Sequence, residues 1–195
     1  MPIGVPRVPF KQMGMEYYSW IDIYNRLYRD KILFLGQEID NEISNQIITL
    51  IIFFNIEIEN IDIHFFLNSP GGNIASGFSI FDIMQFSYLN VKTICYGLST
   101  SMASLLLVGG LFKKRLAFLH ARIMIHQPVM SFFEATTEEL ILETEELSRL
   151  RNLITEIYSK KTNKTFWVIY NDMERDTYMS ASESKLYGMI DLISK

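Results

Sequence analysis

An α/β fold, made of repeated βαβ units around a mostly parallel sheet, is what this sequence predicts. Short apolar runs with strand character recur along it, among them Ile32-Leu33-Phe34-Leu35, residues 61–67 and residues 91–96. Segments with apolar residues at helical spacing lie between them, such as Ile74, Phe78, Phe81 and Met84. Glycines and small polar residues punctuate the run ends, at Gly36, Gly71-Gly72 and Gly97. One helix between successive strands is how a chain returns to lay down a parallel neighbour. A chain of 195 residues is expected to form one domain with a sizeable core.

In chain order, residues 1–19 hold three of the five prolines and show no periodicity, so they are expected to form a flexible N-terminal arm. A single domain is expected over 20–195. It opens with a helix over 24–31, a buried strand at 32–36 and a helix over about 41–55. A second strand runs into Ser69-Pro70-Gly71-Gly72, followed by a helix over 74–86 and a third strand at 91–96. Two further strands are expected at 115–118 and 121–126. The long segment at about 137–161 starts with Thr136-x-x-Glu139, a capping-box pattern. Its apolar positions are Leu140, Leu147, Leu150, Ile154, Ile157 and Tyr158, and glutamates fill the opposite face, which suggests a helix projecting from the body. A short helix over 166–173, a loop holding Arg175-Asp176, and a last helix capped by Ser180-x-x-Glu183 complete the expectation.

Composition excludes several classes. A net charge of −4 gives no basic face for nucleic acid. One cysteine excludes an internal disulfide and a multi-cysteine zinc site, and Cys95 lies in an apolar strand where packing is its ordinary use. The most apolar run, residues 47–54, is far shorter than the roughly 18–20 residues of a membrane span. The first residues have neither signal-peptide nor transit-peptide layout, so the chain is expected to work in the compartment where it is made. No metal site, cofactor site or GxxxxGK[ST] nucleotide loop is visible.

The chemistry concentrates at Gly97-Leu98-Ser99-Thr100-Ser101-Met102-Ala103-Ser104. A strand feeds through small polar residues into an apolar helix, which delivers Ser101 to a helix N-terminus where unpaired N–H groups can hold an oxyanion. Ordinary helix capping would use the same residue types. Ser99 and Ser104 are expected to tolerate alanine. Serine needs a base, and of the three histidines His126 ends the apolar strand Ile123-Met124-Ile125, where ligands bind in parallel sheets. His64 lies within a strand and His120 in a turn. Asp172, Glu174, Asp176 and Asp191 are candidates to orient the imidazole; spacing does not choose among them, although Asp176 is attractive because it lies outside the helices on either side. The glycines at 71–72 let backbone N–H groups approach a substrate, so Gly72 and Met102 are candidate oxyanion donors.

These motifs resemble the proteolytic subunit family of the Clp protease, a family of serine peptidases with the ClpP/crotonase-type fold. The resemblance runs from Tyr24 to Leu192 and rests on Phe34-Leu35-Gly36, Asn68-Ser69-Pro70-Gly71-Gly72, Thr100-Ser101-Met102-Ala103-Ser104, Met124-Ile125-His126-Gln127-Pro128 and Glu174-Arg175-Asp176. It implies that Ser101 is the nucleophile, His126 the base and Asp176 the acid, with the Gly72 and Met102 amides as oxyanion hole. It implies no metal and no cofactor. It implies an axial N-terminal arm, a handle helix at about 137–161, and stacked heptameric rings, homo- or hetero-oligomeric with paralogous subunits. The implied partners are a Clp-type AAA+ unfoldase and the unfolded proteins it feeds in. Phe66, Tyr96 and Phe118 would line the unfoldase-docking cleft, and Glu174-Arg175 would touch the opposite ring. The N-terminal Met1-Pro2-Ile3-Gly4-Val5-Pro6 and the Ile, Phe, Tyr and Asn richness resemble plastid-encoded members, implying the chloroplast stroma, with a bacterial cytoplasm as the alternative. Ser99-Thr100 departs from the two alanines usual before the family serine. The rival readings are an acyl-CoA enzyme of the crotonase superfamily and a non-catalytic ring subunit; the full Ser-His-Asp set distinguishes this chain from both.

Overall fold

The computed structural model describes residues 4–11, 17–57, 61–129 and 136–194. An antiparallel pair, β1 (Arg7–Phe10) and β2 (Ser19–Asp22), comes first. No periodicity is expected over residues 1–19; along β1, however, half-buried Val8 and Phe10 alternate with exposed Arg7 and Pro9, a period-two pattern, and Arg7 pairs with Asp22 in register. Residues 1–3 and 12–16 of the arm lie outside the described residues.

Asp22 caps α1 (Ile23–Arg29) through the Asn25 N–H, and β3 (Ile32–Leu35) follows. Asp40 caps α2 (Asn41–Ile56), which buries Ser44, Ile47, Ile51 and Phe54, the face expected of a 3.6-residue period. β4 (Ile63–Ser69) leads through Pro70-Gly71-Gly72 to α3 (Ile74–Phe86), capped by Asn73. Next come β5 (Val91–Thr100), α4 (Met102–Gly109), β6 (Leu116–Phe118) and β7 (Arg122–Ile125). Thr136 and Glu139 close the capping box of α5 (Thr137–Thr162), which ends on Asn163 in the left-handed conformation. α6 (Phe166–Asp172), β8 (Thr177–Ser180), α7 (Ala181–Tyr187) and β9 (Leu192–Ser194) complete the chain.

Strand β5 organises the sheet because it is long enough to serve two neighbours. Its first half lies between β4 and β6, with Ile94 opposite Phe66 and Leu116. Its second half pairs with β7, so Leu98, Ser99 and Thr100 face Arg122, Ile123 and Met124. The seven-stranded sheet runs β3-β4-β5-β6-β9, with β7 on β5 and β8 on β7. Two expectations change here. β6 and β7 are joined by a short turn, closed by Ala121 N–H to Phe118 O at 2.9 Å, and no helix intervenes. β8, not expected from the sequence, pairs antiparallel with β7, setting Thr177 beside Ile125.

Burial alternates along the central strands. In β4 every second residue, from Ile63 to Ser69, is buried, while His64, Phe66 and Asn68 stay half-exposed. One face of the sheet is therefore packed under helices, and α4 lies deepest: all eight of its residues are buried. It packs against α3, β5 and α5. Each fully buried leucine there stabilises the fold by roughly 1.5–3 kcal/mol. Helix α5 behaves differently along its length. None of its residues before Ile154 is buried; Ile154, Thr155, Tyr158 and Thr162 are. The apolar stripe expected from Leu140 onward thus meets the body only in its second half, and Leu140 is 42% exposed.

Candidate active site

Ser101 stands between strand β5 and helix α4, with φ 54° and ψ −127°. A serine rarely adopts positive φ, so the turn is strained. The ladder to β7 continues through it: Ser101 N–H donates to the Met124 carbonyl at 3.0 Å. That bond carries His126, two residues beyond Met124, to the serine's end of the sheet. The His126 Nδ1 atom lies 3.2 Å from Asp176 Oδ1. Asp176 directly precedes β8, which explains why a strand unforeseen in the sequence matters to the site. Two bonds from Gln127 tie the loops together, its N–H to Met173 O at 2.8 Å and its side chain to Glu174 O at 3.4 Å. Among the described residues Ser101 Oγ makes no hydrogen bond.

Of the four candidate acids, three are engaged elsewhere. Asp172 accepts a hydrogen bond from the Tyr187 hydroxyl at 2.6 Å. Glu174 lies 3.8 Å from Arg151 of α5. Asp191 is held by Arg115 at 2.7 and 2.9 Å. Asp176 alone faces an imidazole.

The glycine turn closes the other side. Gly71 and Gly72 have φ of 93° and 146°, and a Cβ on Gly71 would lie 2.7 Å from Ser101 Cβ and 3.2 Å from Met102 N. A side chain at 71 would therefore fill the space over Ser101. Ile39 clamps the turn as an extra strand position: its N–H donates to Gly71 O at 2.7 Å and its carbonyl accepts from Asn73 N–H at 2.8 Å. In a trans peptide the C=O and N–H point opposite ways. Holding the Gly71 carbonyl toward Ile39 aims the Gly72 N–H away from it, and that N–H makes no hydrogen bond to a described residue. The Met102 N–H belongs to the first turn of α4, where amides lack intrahelical partners.

Three residues quoted only as parts of motifs turn out to shape this site. Thr100 Oγ1 donates to Pro70 O at 2.7 Å, and Ser69 Oγ accepts from Gly71 N–H at 3.1 Å, fixing both sides of the Pro70–Gly71 peptide. Ser104, expected to be replaceable, donates its hydroxyl to the Ser101 carbonyl at 2.7 Å and contacts Tyr158.

The remaining candidates lie apart. Tyr96 lines a cleft of about 700 Å³ with Tyr24, Leu27, Phe34 and Gly36. Phe66 stacks on Phe34 at 5.1 Å and meets Tyr96 at a tilt, 6.2 Å between ring centres, and Phe66 and the 40% exposed Phe118 both lie outside the lining. The Arg175 side chain is exposed and pairs with no described residue. His64 is half-buried; desolvation and then the Lys92 charge lower its pKa. His120 is exposed. Among the described residues no group of three His, Cys, Asp or Glu side chains is arranged to hold a metal, and no helix is long and apolar enough to cross a membrane.

The sequence pattern of the family described as Clp protease matches residues 14–195. Over 194 residues the chain is 57% identical to the ATP-dependent Clp protease proteolytic subunit of Glycine max, spanning 100% of this chain and 99% of that protein. The same identity and coverage hold for the chloroplastic ATP-dependent Clp protease proteolytic subunit 1 of Arabidopsis thaliana. The Nicotiana tabacum ATP-dependent Clp protease proteolytic subunit is 56% identical, again over 100% and 99% of the two chains.

Proposed function

The chain belongs to the Clp protease family and is a serine-type endopeptidase, and from that premise we propose that Ser101, His126 and Asp176 are its nucleophile, base and orienting acid. Asp176 accepts the Nδ1–H of His126, which leaves Nε2 free to take the Ser101 Oγ proton as Oγ attacks the peptide carbonyl carbon. The Gly72 and Met102 N–H groups receive the oxyanion. Collapse of the tetrahedral intermediate breaks the C–N bond, and His126 returns the proton to the leaving amine. Water, deprotonated by the same imidazole, then releases the acyl group and restores Ser101. The supporting observation is the 3.2 Å His126–Asp176 contact at the end of the strand laddered to Ser101.

The relatives' names couple the protease to ATP, and this sequence has no nucleotide-binding loop. A Clp-type AAA+ unfoldase therefore hydrolyses the ATP and feeds unfolded chains in, docking at the cleft that Tyr96 lines. The subunit works within stacked heptameric rings, homo- or hetero-oligomeric with paralogous subunits. Parallel sheets are ordinarily covered on both faces. Here the face carrying Phe34, Phe66, Ile94, Tyr96 and Phe118 is only half-covered within the chain, which supports contact with other chains. The chloroplastic Arabidopsis relative supports a plastid setting, and we place the chain in the stroma.

The test is Ser101→Ala in the assembled protease isolated through a tag on this chain. Peptide cleavage by this subunit and its labelling by a fluorophosphonate should vanish, with assembly unchanged. Retained labelling of the alanine variant sinks the assignment. A wild-type chain that resists the probe would be a non-catalytic ring member.

A further inference from the structure

We propose that Tyr158, on helix α5, is a positioning residue that aims the Met102 N–H at the oxyanion through Ser104 and the Ser101 carbonyl. The proposal rests on Ser101 being the nucleophile. Its starting point is the peptide between Ser101 and Met102. The Ser101 carbonyl and the Met102 N–H share one trans plane and point opposite ways. Whatever pulls on the carbonyl therefore sets the direction of the N–H. That carbonyl receives Ser104 N–H at 3.0 Å, Leu105 N–H at 3.3 Å and the Ser104 hydroxyl at 2.7 Å. The Tyr158 hydroxyl lies 2.7 Å from Ser104 Oγ and 3.4 Å from the same carbonyl.

Each hydroxyl has one proton to give. With Ser104 donating to the Ser101 carbonyl, the short contact at Ser104 Oγ is satisfied when Tyr158 donates to it. Burial pushes the Tyr158 phenol up, so it keeps its proton throughout the working range. Tyr158 is 2% exposed and Ser104 0%, so neither hydroxyl has water to fall back on. Both groups beside the Tyr158 hydroxyl, Ser104 Oγ and the Ser101 carbonyl, belong to the nucleophile's turn, 54 and 57 residues away in the chain. The backbone there is in a conformation serine does not choose by itself, φ 54° and ψ −127°. By fixing the Ser104 hydroxyl on this carbonyl, Tyr158 of a second helix reinforces the three bonds from α4 that keep the strained plane from relaxing. The arrangement mirrors the Ile39 N–H on the Gly71 carbonyl, so each oxyanion donor is aimed by a bond to the opposite edge of its own peptide.

The experiment measures fluorophosphonate labelling of this chain, resolved by mass, within the assembled protease. Ser101 Oγ displaces fluoride from phosphorus, and the developing charge on the phosphoryl oxygen needs the same two amides. Tyr158→Phe should lower the limiting labelling rate about three- to tenfold, the worth of one hydrogen bond, with the half-saturating probe concentration unchanged. Ser104→Ala should do the same, and the double variant should be no slower than either single one, because both remove one relay. Thr155→Val is the control: its buried hydroxyl donates to the Arg151 carbonyl on its own helix at 2.7 Å and among the described residues otherwise touches only the Met173 sulfur at 3.9 Å, remote from the Ser101 carbonyl, so labelling should stay at the wild-type rate. A wild-type rate in Tyr158→Phe overturns the proposal, as do additive losses or an equal loss in Thr155→Val. Should Tyr158→Phe not assemble, Ser104→Ala decides alone, and a wild-type rate there overturns it equally. Labelling of Ser101→Ala would instead overturn the nucleophile itself, a separate outcome.

Discussion

At Ser99 a hydroxyl is fully buried with no partner among the described residues, while one residue on the Thr100 hydroxyl donates to Pro70 O at 2.7 Å. The difference follows from the sheet. Ser99 points into the packed face between Ser69 and Ile123, its neighbours in register on β4 and β7, whereas Thr100 meets the glycine turn. Leaving a buried hydroxyl unpaired costs about 1–3 kcal/mol. Ser99→Ala is therefore expected to stabilise the protein by about 1 kcal/mol, some of the gain being offset by the small void, and to leave peptidase activity unchanged. Thermal unfolding of the two proteins measures this; a lower midpoint for the alanine variant would show that the hydroxyl finds a partner in solution.

Among the elements, Arg115 at the start of β6 gathers three pieces of chain. It holds the Asp191 carboxylate before β9 with paired bonds and donates to Lys161 O at the end of α5 at 3.2 Å. Burial pushes the Asp191 carboxyl up, but the hydrogen bonds and charge of Arg115 outweigh it and hold its pKa below the ordinary value. A lowered folded pKa contributes stability above the unfolded value of about 3.9, and that stability is lost as pH falls through the folded value. Asp191→Asn should cost about 3–5 kcal/mol at neutral pH, since Arg115 stays buried without its counter-charge. The gap to wild type should narrow on acidification from pH 7 to below about 4; a constant gap in thermal unfolding would exclude the charge as the cause. Elements such as α2, α3 and α5 were legible because their apolar period and caps are local signals. Strand β8 was not, since Thr177-Tyr178-Met179-Ser180 is short and its order comes from pairing with β7. Ser101 and His126 were legible from their places at a strand end and a helix start. Asp191 could not be separated from Asp176 without Arg115, which lies 76 residues away. In the sequence Tyr158 is one more apolar position in a helical stripe, because periodicity registers the ring and not the hydroxyl.

At the scale of the whole molecule, the site is assembled from distant parts, and one of them faces outward. The loop 173–176 is tied to His126's strand by Gln127 and faces α5 through Glu174 and Arg151, while Arg175 points into solvent. If Arg175 is gripped by a carboxylate of the opposite ring, as the family resemblance implies, ring stacking and the placement of Asp176 are one event. Arg175→Ala is then expected to favour single rings and to lower turnover, by up to about a hundredfold if Asp176 drifts by about 1 Å. Native sizing beside a cleavage assay checks both; double rings with unchanged turnover would make Arg175 a surface charge. The contorted backbone at Ser101 has a further consequence. It favours the unfolded chain by roughly 1–3 kcal/mol, a large share of the margin by which domains stay folded. With Ser101 as the nucleophile we propose, stability and reactivity pull this position in opposite directions: drift toward a sturdier fold would discard the serine in favour of glycine, and only continued use of the enzyme keeps it there.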